Sequence, residues 1–137
     1  MKVPILSGLF CLNLYPNLNT SKLTTIEEML EQISLIRYLY PNISEEKYKN
    51  YLEAMIPHNY IQIAIFEDEI CVGLTGLWYG IKLWSGKYME IDNFIVHPEH
   101  RSKGIGKMLT DYVNEKATEL NCTMIVLDAY TQNFTAH

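Results

Sequence analysis

Residues 90–107 hold the side chains best suited to chemistry. Glu90 and Asp92 come first, followed by a basic turn with two glycines, Arg101-Ser102-Lys103-Gly104-Ile105-Gly106-Lys107. If Glu90 and Asp92 lie on a strand, their spacing of two puts both carboxylates on the same face. Each buried charge would need a partner, and crowding would raise the pKa of at least one. Such a carboxylate can accept a proton, directly or through water. The turn offers different chemistry. At the start of a helix its backbone N–H groups have no intrahelical acceptor, and the positive end of the helix dipole adds to them, so an anion can sit there. Gly104 and Gly106 lack Cβ atoms and let a phosphate approach the main chain. Arg101, Lys103 and Lys107 can add charge, or can simply be solvated surface side chains.

The elements that would position these groups are readable from the pattern. Residues 88–96 read as a strand, and His97 to His100 as a short turn. A helix is predicted from Ile105, because Ile105, Met108, Leu109, Tyr112, Val113, Ala117 and Leu120 recur with the spacing of one buried helical side. After the Asn121-Cys122 turn, Met124-Ile125-Val126-Leu127 is a continuous apolar run, as expected of a buried strand. Strand, helix, strand implies parallel neighbours joined by a right-handed crossover.

Upstream, Thr25-Ile26-Glu27-Glu28 is a capping box. Ile26, Met29, Leu30, Ile33, Ile36 and Leu39 then form a helical stripe that ends before Pro41. A second helix is expected from Ser44 to Pro57, stapled by Ile43 and Tyr48, with Tyr48, Tyr51, Leu52 and Met55 on its buried side. Residues 19–23 suit a short strand. Ile61, Ile63 and Ile65 alternate with Gln62, Ala64 and Phe66, a strand period. Glu67-Asp68-Glu69 turns the chain into a return strand over residues 70–79, with Gly73 and Gly76 marking a bulge or a close backbone approach. Residues 81–84 fit either an extension of that strand or a loop.

The sequence Arg101-x-x-Gly104-x-Gly106, placed after an acidic strand and before a long amphipathic helix, resembles the coenzyme-A motif of the GNAT-type N-acetyltransferases. The element order resembles that family over about residues 19–137. A structural turn that uses glycine only to bend is the plain alternative. The resemblance implies an α/β (α+β) fold with a mixed, mostly antiparallel central sheet and helices on both faces. It also implies acetyl-CoA as acyl donor and a primary amine, on a small molecule or a peptide, as acceptor. By the same resemblance the backbone of Ser102, Lys103, Gly104, Ile105, Gly106 and Lys107 would hold the pyrophosphate, with Arg101 beside it. Phe94, Ile95 and Val96 would pair with the pantetheine, and Asn133, in Asn133-x-x-Ala136, would lie near it. Either Glu90 or Asp92 would be the base. The tyrosine that usually protonates the CoA thiolate would fall beyond His137, and the family's last two strands are not in the sequence. A C-terminally shortened domain with weak or absent turnover is therefore expected, with a non-catalytic acyl-CoA-binding or interaction module as the other reading. The exposed edge at residues 124–127 points to a homodimer or other self-association, unless the apolar N-terminal segment covers it.

Composition narrows the remaining classes. With 137 residues the chain suits one domain, with residues 1–18 as an extra apolar segment. A net charge of −5 and no Lys/Arg block argue against nucleic acid. Residues 3–14 have the length of a signal-peptide core but no clear cleavage site, and are too short to span a bilayer. They read as an extended or strand segment, with no membrane role. Three widely spaced cysteines, Cys11, Cys71 and Cys122, suggest reduced thiols in a cytoplasmic protein. His97 and His100 lack companions for a metal site and read as solvated turn residues, so no metal is expected. Trp78, Tyr79 and Trp84 can line an acceptor pocket, though packing is the commoner use of such aromatics.

Overall fold

A computed structural model describes residues 17–127. Its elements are β1 (Leu18–Leu23), α1 (Ile26–Leu30), α2 (Ile33–Ile36), α3 (Glu45–Met55), β2 (Tyr60–Glu67), β3 (Ile70–Lys82), β4 (Gly86–Val96), α4 (Ile105–Glu119) and β5 (Met124–Leu127). Single 3-10 segments at Ile56–His58 and Pro98–Lys103 carry the chain into β2 and α4. The sheet order is β1-β2-β3-β4-β5. The first four strands are antiparallel neighbours, and β5 runs parallel to β4. This is the mixed, mostly antiparallel sheet expected from the sequence. The segment 1–16 and Asn133 lie outside the described residues.

Each face of the sheet has its own core. On one face α4 lays Ile105, Leu109, Val113 and Ala117 over Ile63, Ile65, Leu77 and Met89. On the other, Met29, Leu35, Ile36 and Leu52 from α1, α2 and α3 cover Tyr60, Ala64, Leu74 and Ile95. Strand β2 is therefore buried on both sides, and its alternation separates two cores rather than core from solvent. Gln62 is consequently fully buried.

Local signals explain most element ends. Thr25 caps α1 in a complete capping box, and Ser44 caps α3 by accepting from the Lys47 N–H. The β2–β3 hairpin turns on Asp68, whose φ is +57°. β3 runs on through Lys82, so the ambiguous stretch divides: residues 81–82 extend the strand and residues 83–84 are a turn.

Three expectations are corrected. The stripe over residues 26–39 is two short helices, because the chain breaks at Gln32 (φ −102°, ψ 19°). The break rotates the second piece so that the adjacent Leu35 and Ile36 both enter the core, which one continuous helix could not do equally well. Tyr51 is 52% exposed rather than buried, since the sheet accepts only Tyr48 and Leu52, one turn apart. The β5 run is a sheet edge among the described residues, as expected, but its side chains are not those of a buried strand, since Ile125 and Leu127 are exposed.

Gly73 shows how tightly α4 is seated. A Cβ added there would lie 2.4 Å from Ile105 Cγ2 and 3.4 Å from Leu109 Cδ1. Ile105 is β-branched and fully buried, so it has little freedom to move away. Gly73→Ala is expected to destabilise the fold by about 1–3 kcal/mol, read as a lower urea midpoint. Gly106→Ala, where the same added atom finds ordinary contacts at 3.8 Å and beyond, is the tolerated control.

Candidate active site

Strand β4 is paired unequally along its two sides. β3 accompanies it from Gly86 to Val96, and the described residues of β5, which end at Leu127, pair with Tyr88, Met89, Glu90 and Ile91. Two residues further on, Asn93 takes φ +60°. Ile95 lies opposite Leu74 and Asp92 opposite Gly76, so Asn93 and Phe94 together face Thr75 as a bulge. Asparagine is among the few residues that accept this backbone, and its side chain donates to the Tyr40 hydroxyl. Beyond the bulge, no described residue pairs with the outer edge of residues 92–96. The main-chain groups of Phe94, Ile95 and Val96 therefore form an open strand edge, which is suited to extended amide ligands.

That edge runs into the start of α4. The connecting turn is a 3-10 segment, not the plain turn expected. It is anchored by His97 N–H to Val72 O at 2.8 Å and by the His97 ring, which accepts from the Glu99 N–H. Gly104 then takes φ +75°, a conformation that favours glycine. Unlike α1 and α3, α4 begins with no side-chain cap. Its first N–H to C=O bond is Met108 to Gly104, so the N–H groups of Ile105, Gly106 and Lys107 precede the helical ladder. An added Cβ at Gly104 would meet nothing within 4 Å, and one at Gly106 would lie 3.8 Å from Phe94 and 3.9 Å from Val96. The helix start and the open strand edge are thus adjoining surfaces.

Not every charge expected at this turn is available. Lys103 Nζ is 2.7 Å from Glu67 Oε1 and donates to it, and His100 Nδ1 is 3.0 Å from the same oxygen. Lys107 pairs with Asp111 at 2.8 Å. Arg101 is exposed and forms no ion pair among the described residues. The two histidines are half-buried and engaged rather than solvated, with the Tyr38 hydroxyl 3.4 Å from His97 Nε2. Among the described residues no three His, Cys, Asp or Glu side chains gather as a metal site would need.

Glu90 and Asp92 both face the α1–α3 side of the sheet and are half-buried. The Trp78 indole N–H donates to Asp92 Oδ2 at 3.0 Å. No hydrogen bond or ion pair engages Glu90 among the described residues. Behind Trp78, the Tyr60 ring lies 4.9 Å away, centroid to centroid. The Gln62 amide nitrogen donates to Tyr60 Oη at 3.0 Å and to Tyr48 Oη at 2.9 Å. Burial pushes both phenol pKa values up, and the Gln62 bond opposes this. Gln62 Oε1 has no partner among the described residues. Gly76 is required by this packing, since a Cβ there would fall 2.5 Å from Tyr60 Oη and 2.9 Å from Asp92 O.

Sequence reasoning missed Tyr40, Tyr48, Tyr60 and Gln62. The one usable signal was Gln62 standing in an otherwise apolar strand. The aromatic cluster of Trp78, Tyr79 and Trp84 divides. Trp78 joins the acidic face, Tyr79 packs against the α4 core, and Trp84 is 73% exposed at the β3–β4 tip.

With a bulged fourth strand, a parallel fifth strand beside it and an uncapped helix after a glycine turn, the chain has the layout expected of an acyl-CoA-using transferase. It belongs to the Acetyltransferase (GNAT) family, whose pattern matches residues 26–137. An uncharacterized N-acetyltransferase of Bacillus subtilis (strain 168), YhdJ, is 27% identical over 121 residues, which make up 88% of this chain and 85% of that protein. A GNAT family acetyltransferase from Staphylococcus aureus subsp. aureus USA300_TCH1516 is 25% identical and superposes with a TM-score of 0.71, covering 85% of this chain and 90% of that one. The aminoglycoside acetyltransferase meta-AAC0020, from an uncultured soil metagenomic sample and solved with sisomicin, has a TM-score of 0.75 at 17% identity, covering 88% and 83%.

The Glu67 cluster gives a pH prediction. The hydrogen bond from Lys103 holds the Glu67 carboxyl below its ordinary value of 4.5. A lowered folded-state pKa stabilises the fold above the unfolded value, and that contribution disappears as pH falls through the folded one. Glu67→Gln is expected to lower the urea midpoint near pH 6, with the gap to the parent closing as pH falls below the ordinary carboxylate value and through the lowered folded one. Because the pair is partly exposed, added salt should narrow the gap at the higher pH.

Proposed function

We propose that this chain transfers the acetyl group of acetyl-CoA to a primary amine by direct attack, assisted by a carboxylate on β4. The observation that carries the reading is the junction at Gly106, where the open edge of β4 meets the uncapped start of α4. A thioester carrier has the complementary chemistry, with a diphosphate for the helix N–H groups and an amide-bearing arm for the strand edge. The N–H groups of residues 102–107 and the Arg101 guanidinium would hold the diphosphate. Phe94, Ile95 and Val96 would pair with the arm, and by family likeness Asn133 would lie beside it. The acetyl group would then sit near the Asn93 bend, within reach of the acidic face.

Glu90 or Asp92 would take a proton from the substrate ammonium, directly or through water. The freed nitrogen lone pair attacks the thioester carbonyl carbon. The C–S bond breaks and its electron pair goes to sulfur, while the nitrogen gives up its second proton, which reaches sulfur through water so that CoA leaves as the thiol. Two carboxylates on the face that receives the acceptor favour a cationic amine. A protein of similar fold, the aminoglycoside acetyltransferase meta-AAC0020, is seen in complex with sisomicin, an amine of that kind.

The first test is calorimetric titration with acetyl-CoA. A glutamate at position 106 suits the helix dipole, so Gly106→Glu should fold, while its charge opposes the diphosphate. Affinity is expected to fall roughly tenfold or more, about 1.4 kcal/mol or beyond. Unchanged affinity would move the site elsewhere. The second test is thiol release with a panel of amines, comparing Glu90→Gln and Asp92→Asn. Loss of the base should lower kcat by about 100-fold or more. Binding without thiol release on any amine would instead mark an acyl-CoA-binding module.

A further inference from the structure

We propose that Asp92, rather than Glu90, is the proton acceptor, and that Trp78 is the residue that positions it. This rests on the acetyl-transfer reading above and assigns the role that reading leaves between two carboxylates. The sheet register places Trp78 opposite Glu90, yet its indole N–H reaches diagonally to Asp92. An indole N–H can only donate, so this contact needs an acceptor oxygen on Asp92. The bond occupies Oδ2 and leaves Oδ1 without a protein partner among the described residues, free to meet an incoming ammonium.

The indole is itself held in place. Its ring packs on Tyr60, Tyr60 is fixed through its hydroxyl by Gln62, and Gln62 reaches Tyr48 on α3. Tyr48, Tyr60 and Gln62 are all buried, so the support is not free to sway. Asp92 is also constrained through the backbone. Its carbonyl packs on Gly76, and the next residue is the bulged Asn93, tied to Tyr40. Glu90 has one more side-chain torsion and no such restraint. Positioning of this kind places the carboxylate before substrate arrives, which lowers the entropic part of the barrier.

The experiment combines NMR with a double-mutant cycle on the full chain. There are two tryptophans, Trp78 and Trp84, so Trp84→Phe assigns the two indole N–H signals at once. The Trp78 signal is expected to shift upfield in Asp92→Asn and to stay in place in Glu90→Gln. In thiol-release assays with sisomicin and spermidine as probes, Trp78→Phe keeps an aromatic ring but removes the donor. It should lower kcat roughly 10- to 100-fold, the size of one hydrogen bond to a charged group, with KM for acetyl-CoA unchanged. Trp78→His, which restores a ring N–H, should recover part of the loss. Trp78→Phe should cost nothing further in the Asp92→Asn background, and its full factor in the Glu90→Gln background. Additive losses with Asp92→Asn, or an indole signal indifferent to Asp92, would overturn the assignment while leaving acetyl transfer intact. No thiol release from the parent would overturn the acetyl-transfer reading itself, and this one with it. Melting curves separate a folding defect from either result.

Discussion

The positive φ at Asn93 is the constraint on which the rest of the site depends. A strand that stayed regular through residue 96 would keep its register with β3. One residue in the left-handed region instead opens a bulge against Thr75. The left-handed backbone costs roughly 1–2 kcal/mol for a residue with a Cβ. The bond from the Asn93 amide to Tyr40 and the seating of Asp92 O against Gly76 help to offset that cost. Among the described residues, the hydrogen-bonding groups of Phe94, Ile95 and Val96 on the β5 side of the strand are left unpaired.

The two cores then serve different ends. The α4 side is apolar and closely filled, with Ile105 fitted against Gly73 tightly enough to fix where the helix starts. The α1–α3 side contains the polar chain from Tyr48 through Gln62 and Tyr60 to Trp78 and Asp92. Buried polar groups of this kind contribute little net stability and demand exact partners, so they restrict conformation more than they strengthen it. One face therefore fixes the glycine turn, and the other fixes Asp92. The bulge in β4 is where the two arrangements meet.

Much of this was legible in the residues, for identifiable reasons. Thr25 and Ser44 mark helix starts because a hydroxyl is the local means of satisfying an end N–H. The α4 stripe and the β2 alternation are periodic, and tertiary packing confirmed rather than contested them. The glycine turn was readable because Arg101, Gly104 and Gly106 combine chemistry with position. What could not be read depended on pairings distant in sequence. The break at Gln32 is set by which side chains the sheet accepts, and no local breaker announces it. Lys103 looked like a ligand cation, but Glu67, from the opposite end of β2, already holds it. Asp92 and Glu90 looked equivalent until Trp78, on another strand, distinguished them. Asn93 gave little warning of the bulge, since asparagine occurs in many settings.

The uncapped start of α4 ties occupancy to endurance. α1 and α3 carry side-chain acceptors at their starts, whereas α2 and the longest described helix, α4, do not. On the proposed reading, a bound diphosphate would supply acceptors to the opening turn of α4. Any species that binds there and not to the unfolded chain deepens the native well by RT ln(1 + [L]/Kd). At a hundredfold excess over Kd that is about 2.7 kcal/mol, a large share of a small domain's margin. In a cell, the lifetime of the protein would then rise and fall with the concentration of its own donor.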